Sequence, residues 1–399
     1  MAVLREAWSP TVAETLVVEL AVSLHGCGTP AHRLEAVMEG VCAALGVTAQ
    51  VLATPTMLLV TIDGQTQAFR VTPGEVLLGR MVKVDEVAMW VARGVLEPAE
   101  ALDVLRRTMT EPPPYGLGQV VAAFGVVSAG AVVFLGGGWR EVVVGGGLGL
   151  AVGGGILWLG RRAETARLMV LAVSFGVALL AGWCAAMWGV DRLALTLAAL
   201  IVVLPGFSLT TAISELSAGH LAAGAARLSG VVVSSLLLAV GAGAGWAMAP
   251  PPLASTTISF PVFAEPLALL VSGLGLVVLF QARLQDAGVV VLAAGIAFFS
   301  ARLGMDWLGP LGGAFAAALL VTLVSNVQAR MRDCPASLAL VPGILLLVPG
   351  TVGFQGMDAL LAARTVDGVQ GGSMALLIAA SLVAGILTAN AVLPSRRAL

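Results

Sequence analysis

The sequence predicts a polytopic α-helical membrane protein. About ten transmembrane helices form two inverted five-helix repeats, behind a small N-terminal cytoplasmic α+β domain. Three observations predict this. Of 399 residues, 58% are hydrophobic and 11% charged, which is too apolar for a water-soluble chain. Residues 1–112 are different material, holding thirteen of the 23 acidic and eight of the 21 basic residues. Finally, two long apolar stretches are each interrupted by Pro-Gly, at Pro205-Gly206 and at Pro349-Gly350, 144 residues further on. Paired, Pro/Gly-interrupted spans at matching positions in two halves point to a transporter site.

The remaining composition removes other classes. A net charge of −2 offers no electrostatic footprint for nucleic acid. Cys27, Cys42, Cys184 and Cys334 have no metal-type spacing and no disulfide framework. No metal or cofactor is expected. Residues 1–20 carry three glutamates and no long apolar core, so no signal peptide is read there.

Taken in order, Thr11–His25 has helical periodicity and stops at Gly26 and Gly28. Thr29-Pro30 then reads as an N-cap with proline at the first helical position, starting a helix over Ala31–Leu45 that Gly46 closes. Strand-like runs follow at Thr48–Ala53, Met57–Ile62 and Gln67–Val71, with Asp63-Gly64 as a hairpin signal. Helices are expected over Val84–Arg93 and Pro98–Met109, and EPPPY (Glu111–Tyr115) is a stiff linker. The membrane halves are 113–248 and 265–399, joined by an external Pro/Ser/Thr-rich linker, 249–264. Their spans read as 117–137, 141–160, 168–188, the broken 193–219 and 227–248, then 265–281, 287–303, 308–328, the broken 336–361 and 370–393. Five spans per half force the halves to run in opposite directions. With both termini inside, inner loops hold Arg161, Arg162, Arg167, Arg227, Arg283, Arg330, Arg332, Arg396 and Arg397. The outer side holds Arg140, Arg192, Arg302 and Arg364. That excess follows the positive-inside rule.

The half-helix after each Pro-Gly has free backbone N–H groups and a positive dipole end, suited to an anion such as a substrate carboxylate. The candidate substrate-binding residues are therefore Pro205, Gly206, Ser208, Thr210, Thr211, Pro349, Gly350 and Gln355, with Asn326 from the eighth span. Inter-helix hydrogen bonding accounts for Asn326 and Asn390 equally well. Glu215 and Asp358 are the candidate proton-coupling groups, because intramembrane carboxylates are costly and usually functional. Arg227 reads as a membrane-boundary marker in preference to a partner of Glu215. The glycine clusters 136–138, 145–147 and 153–155 precede no Lys-Ser/Thr and read as helix-packing surfaces. His25, Cys27 and His32 lie close in sequence, yet no oxyanion-hole signature accompanies them. Core or capping roles are preferred there, and the chain is read as a transporter, not an enzyme.

LHGCGTPAHRLEAVMEGVCAALG and TPTMLLVTI, then LPGFSLTTAISELSAGHLAAGAARL and VPGILLLVPGTVGFQGMDALL, resemble the threonine/serine exporter family over about residues 12–393. In that resemblance Arg33 and Glu35 stand at an arginine–acid pair. It implies ten membrane helices, a cytoplasmic N-terminal domain and proton-driven export of small hydroxy amino acids. A multi-pass place in the plasma (inner) membrane of a bacterium is the matching expectation. The partners are then a small amino acid, protons and the lipid bilayer; self-association into a homo-oligomer is left open. Glu215 aligns with Ala359 and Ser214 with Asp358, a departure from a neat repeat. Rival readings are a dicarboxylate exporter on the same fold and a membrane-anchored enzyme using Cys27.

Overall fold

The computed structural model describes residues 11–72, 77–161, 168–255, 259–332, 335–347 and 349–394. Arg162, Arg167, Arg396, Arg397 and Cys334 therefore lie outside the described residues. The chain is mostly helical.

An α+β unit comes first. Helix α1 (Val12–Gly26) starts at Thr11, whose hydroxyl accepts from the Glu14 amide while Glu14 returns the bond, a capping box. Helix α2 (Ala31–Leu45) has Pro30, not Thr29, as its N-cap, the Thr29 hydroxyl making no bond among the described residues, and it ends at Gly46, which takes the left-handed conformation with φ 66°. Strands β1 (Ala49–Thr54), β2 (Met57–Ile62) and β3 (Gln65–Arg70) form an antiparallel meander. The β2–β3 turn has positive φ at both Asp63 and Gly64, the twist-matched two-residue hairpin that Asp-Gly signals. Leu58, Val60 and Ile62 alternate onto the buried face.

Helix α3 (Leu78–Ala92) begins six residues earlier than periodicity predicts. The reason is tertiary. Leu78 is fully buried, and its N–H donates to the Phe280 carbonyl at 2.9 Å. A Cβ on Gly79 would stand 2.4 Å from the Gln281 carbonyl oxygen, so only glycine permits that approach. Helix α4 (Pro98–Thr110) starts with Pro98 in its first turn, as expected.

The apolar part follows: α5 (Leu117–Phe134), α6 (Trp139–Leu159), α7 (Met169–Trp188), α8 (Arg192–Leu200), α9 (Gly206–Ser217), α10 (Leu221–Met248), α11 (Glu265–Leu279), α12 (Ala287–Arg332), α13 (Ser337–Leu347), α14 (Gly350–Leu361) and α15 (Thr365–Val392). Among the described residues, seven helical stretches are long and apolar enough to cross a membrane, and α11 is a shorter apolar helix. The polypeptide turns back within α12 at Gly309, with φ 72°, ahead of Pro310. A Cβ on Gly304 would meet the Gly313 Cα at 2.7 Å, so the two arms of α12 fold against each other. Helices α10 and α15 start at 221 and 365, before the apolar windows do, because the helical ladder continues beyond the hydrocarbon-like stretch.

Lipid removes the hydrophobic drive between helices, so small residues and close backbones hold them together. One packing scheme occurs twice. Gly241 of α10 sits against the Leu171 carbonyl and the Phe175 amide of α7; Gly385 of α15 sits against the Phe315 carbonyl and the Leu319 amide of α12. Gly224 packs on Leu216 of α9, and Gly368 on Leu360 of α14. Every residue in the second set lies 144 positions after its counterpart. Helices α5 and α11 cross reciprocally: Gly130 faces the Ala268 carbonyl and Ser272, while Gly275 faces the Ala123 carbonyl and Val127.

The α+β unit is fastened to the apolar part at two places. At one, Leu78 holds Phe280, the Tyr115 amide donates to Gln281 Oε1 at 3.2 Å, and Arg283 lies 3.6 Å from Glu86. The other is the site described next. Gly79→Ala is expected to shift the first fastening and lower stability by about 1–3 kcal/mol, the cost of overpacking. The readout is the melting temperature in detergent together with proteolysis at 111–116. Gly118→Ala, which meets no atom within 4 Å, should leave both unchanged.

Candidate functional site

Helix α9 builds the site. It can begin only after Pro205, which lacks an N–H for the preceding helix. Pro205 (φ −80°, ψ 36°) and Pro349 (φ −77°, ψ 28°) precede α9 and α14 with nearly the same backbone geometry. A Cβ on Gly350 would lie 3.1 Å from the Leu204 Cβ and 3.5 Å from the Gly206 Cα. The two breaks therefore face each other in contact, and the glycines make that contact possible.

Along α9, Phe207, Thr210, Thr211 and Ser214 recur at helical spacing and share one face. That face lines a cavity of about 310 Å³. Asn326 of α12 and Asn390 of α15 add amides, and α13 adds Ser337, Leu340, Val341 and Ile344. The remaining wall is the α+β unit: Gly28, Pro30, His32, Arg33, Ala36 and Met81. Thr211 donates to the Phe207 carbonyl at 2.9 Å, which leaves its oxygen free to accept from a ligand. Asn326 Nδ2 donates to Asn390 Oδ1 and to the Leu393 carbonyl, both at 2.8 Å. The Ser337 hydroxyl is buried with no partner among the described residues. A few polar groups converging in a largely apolar recess is the ordinary form of a small-solute site.

Of the sequence-marked residues, Thr210, Thr211 and Asn326 meet at this cavity. Pro205, Gly206, Pro349 and Gly350 form the facing breaks behind it. Ser208 does not line it, and Gln355 is exposed elsewhere. Ser214, Ser337 and the α+β wall were not singled out as site residues. The 207/210/211/214 spacing could have flagged Ser214; nothing local could have flagged a wall from residues 28–36.

Glu215, one residue beyond the cavity face, is fully buried. Arg227 grips it with Nε to Oε2 and Nη2 to Oε1, each at 3.0 Å. Arg227 is thus an ion-pair partner, beyond the boundary marker its position suggests. The amide of Ala31, first residue of α2, donates to Glu215 Oε1 at 3.0 Å. A carboxylate of α9 therefore caps the N-terminus of a helix 184 residues away, where Pro30 supplies no side-chain cap. Beside it, His220 Nε2 lies 2.9 Å from Glu35 Oε2, and Glu35 Oε1 accepts from the Ala53 amide at 2.9 Å. Arg33 pairs with Asp85, not with Glu35. Burial pushes the Asp85 carboxyl up and Arg33 pulls it back. Burial also holds His32 below the ordinary imidazole range, with Glu215 opposing. Asp358 stands apart, 3.6 Å from Arg364.

Cys27 is 1% exposed, and burial, with Asp85 adding to it, pushes its thiol up to about 11. His25 Nε2 faces the Thr54 carbonyl at 3.0 Å. A thiol needs a lowered pKa to act as a nucleophile, so this pair is built as core. Among the described residues no cluster of metal-ligating side chains occurs.

A bundle of apolar helices around a solute-sized, polar-dotted recess at a broken helix is the architecture of a polytopic membrane protein. The chain belongs to the threonine/serine exporter family: a family model described as "Putative threonine/serine exporter" matches residues 15–249. A second, described as Threonine/Serine exporter, ThrE, matches residues 266–392. A probable threonine/serine exporter of Mycobacterium tuberculosis is 25% identical over 78% of this chain and 62% of its own length. A threonine/serine exporter of Corynebacterium glutamicum is 22% identical over 77% of this chain and 66% of its own. An uncharacterised protein of Schizosaccharomyces pombe is 25% identical over 82% of this chain and 42% of its own. The chain thus spans roughly two thirds or less of these relatives. No solved structure matches it.

Arg227→Ala should strand a buried charge at Glu215 and lower stability by about 3–5 kcal/mol, read as a fall in melting temperature in detergent. Cys27 should resist alkylation at pH 8 in the folded protein and react once it is unfolded, as mass spectrometry will report.

Proposed function

We propose that the chain is a secondary active exporter of small amino acids, threonine and serine, coupled to protons and working by alternating access around the two Pro-Gly breaks. The observation that carries the reading is the cavity on the broken helix α9, where Thr210, Thr211 and Asn326 meet. The hydroxyl and amide groups there suit a substrate hydroxyl and ammonium, and the first turn of α9, which reaches the cavity at Phe207, suits its carboxylate.

Ten spans in two inverted five-helix repeats fit the packing. Two helix pairs repeat their glycine contacts at a constant offset, and α5 and α11 cross reciprocally about the facing breaks. Such a two-fold lets one half open while the other closes. The halves differ at the cavity face: the counterpart of Thr210 is Phe354, which is 1% exposed and packed in the apolar core. The arginine distribution favours a cytoplasmic α+β unit and cytoplasmic termini, so the cavity borders the cytoplasmic side. Glu215 and Asp358 are the acids proposed for proton coupling. The dicarboxylate alternative draws on one observation, Arg33 in the cavity wall, but Asp85 already neutralises that guanidinium.

The test is efflux from cells lacking their own exporters and loaded with a threonine-containing dipeptide. Export should accelerate with this protein and stop when the proton gradient is collapsed. Asn326→Leu and Thr211→Val should each cut it about tenfold, ~1.4 kcal/mol for one lost buried hydrogen bond. Gln355→Leu should leave it unchanged. Intact gradient dependence in both Glu215→Gln and Asp358→Asn would remove the coupling role from these acids.

A further inference from the structure

We propose that His220 is the proton-binding residue of a latch that holds the α+β unit over the cytoplasmic mouth of the cavity, one proton entering as the latch closes. The proposal rests on the reading above, in which the α+β unit faces the cytoplasm.

The geometry begins with a concentration of rare residues. The chain has three histidines, and His25, His32 and His220 all gather about the seam between the α+β unit and helices α9 and α10. The rings of His32 and His220 are 6.1 Å apart. His25 and His32 both feel the Glu215 charge. Such clustering of imidazoles at one docking surface is the usual basis of a proton-sensitive interface.

Charge balance then fixes how many protons the closed seam wants. From α2 come Glu35 and Arg33, and Arg33 is matched by Asp85 of α3. From α9 comes Glu215, and from α10 comes Arg227. Two carboxylates, Glu35 and Glu215, therefore face one unmatched guanidinium, and one further positive charge closes the account.

Four groups could take that proton, and three are placed against it. Both oxygens of Glu215 already accept, from Arg227 and from the Ala31 amide, so a proton there would displace a donor. His25 turns Nε2 to the Thr54 carbonyl, and both burial and Arg227 disfavour its charged form. His32 is buried, and Arg33 and His220 add to the cost of charging it, against Glu215 and Glu35. Nδ1 of His32 and Nδ1 of His220 alike have no partner among the described residues, so the two rings differ in what faces Nε2. His220 alone has a carboxylate oxygen at hydrogen-bond distance, Glu35 Oε2 at 2.9 Å. The start of α10 at His220 disfavours positive charge there, but the hydrogen-bonded carboxylate is closer.

His220 and Glu35 sit on opposite sides of the seam, so separation exposes both to water and dissolves their pair. The same movement carries off residues 28–36, which wall the cavity. The docked state thus binds the proton more tightly than the open state. Docking is favoured at low pH and weakens as pH rises, because loss of the proton removes the positive half of the His220–Glu35 pair. Alkaline cytoplasm opens the mouth to substrate; acidic cytoplasm shuts it.

The Ala31 amide is the reporter, because its acceptor is Glu215, across the seam. Hydrogen exchange on the full-length protein in lipid nanodiscs, without substrate, is measured from pH 5.5 to 8.5. It is expressed as a protection factor, so that the intrinsic pH dependence of exchange divides out. Protection over residues 29–36 should fall with rising pH by up to about tenfold per unit, the slope for one linked proton. His220→Gln should flatten this slope and His32→Gln should keep it. A flat wild-type profile, or an undiminished slope in His220→Gln, overturns the proposal; so does a slope lost only in His32→Gln. Where His220→Gln does not fold, Glu35→Gln takes its place, with a flat profile expected and an unchanged slope overturning. Exchange needs no substrate, so absent threonine efflux with this pattern intact counts against the exporter reading alone.

Discussion

The Glu215 carboxylate is the interaction on which the rest of the structure depends. A buried charge without partners is too costly to keep, and this one is fully buried. It survives because Arg227 meets it as a two-pronged fork and the first amide of α2 adds a third donor. Those donors come from different layers, one from the helix after α9 and one from the α+β unit. Satisfying this carboxylate therefore ties the α+β unit to the apolar bundle at one of its two fastenings. It also explains why α2 starts without a side-chain cap of its own: the cap arrives from α9.

The cavity is a consequence of that docking and of the helix breaks. Proline cannot continue a helical ladder, so both stretches stop and restart, and the restart leaves α9 short, with Thr210, Thr211 and Glu215 buried. The glycines beside the prolines then let the two breaks meet, with the Cβ position of Gly350 in contact with Leu204 and Gly206. Elsewhere in the bundle, glycines on α10 and α15 lie directly on neighbouring carbonyls and amides. Apolar side chains gain nothing from leaving lipid for one another, so closeness of backbones, shape and hydrogen bonds decide the assembly. The Asn326–Asn390 bond is such a contact, and it also brings an amide to the recess.

Local patterns were legible where local physics decides them. The helix over Thr11–His25, the Gly46 terminus, the Asp63-Gly64 hairpin and the Pro98 helix start all appear as read, because each is settled within a few residues of chain. The start of α3 was not legible, since Leu78 and Gly79 are recruited by Phe280 and Gln281 from 200 residues away. Arg227 was misread for the same reason: an arginine near a span end suits a boundary equally well, and only the turn at Gly219 brings it back onto Glu215.

From the sequence alone came the apolar character, the different composition of the first 112 residues, the paired Pro-Gly breaks and the more polar restart after the first of them, all properties of composition and short-range pattern. The tertiary structure alone decided which polar residues share a cavity, that Gln355 turns away from it, and that residues 28–36 form its wall. Those depend on which surfaces meet across long separations, and a chain of interchangeable small and apolar residues does not encode such meetings locally.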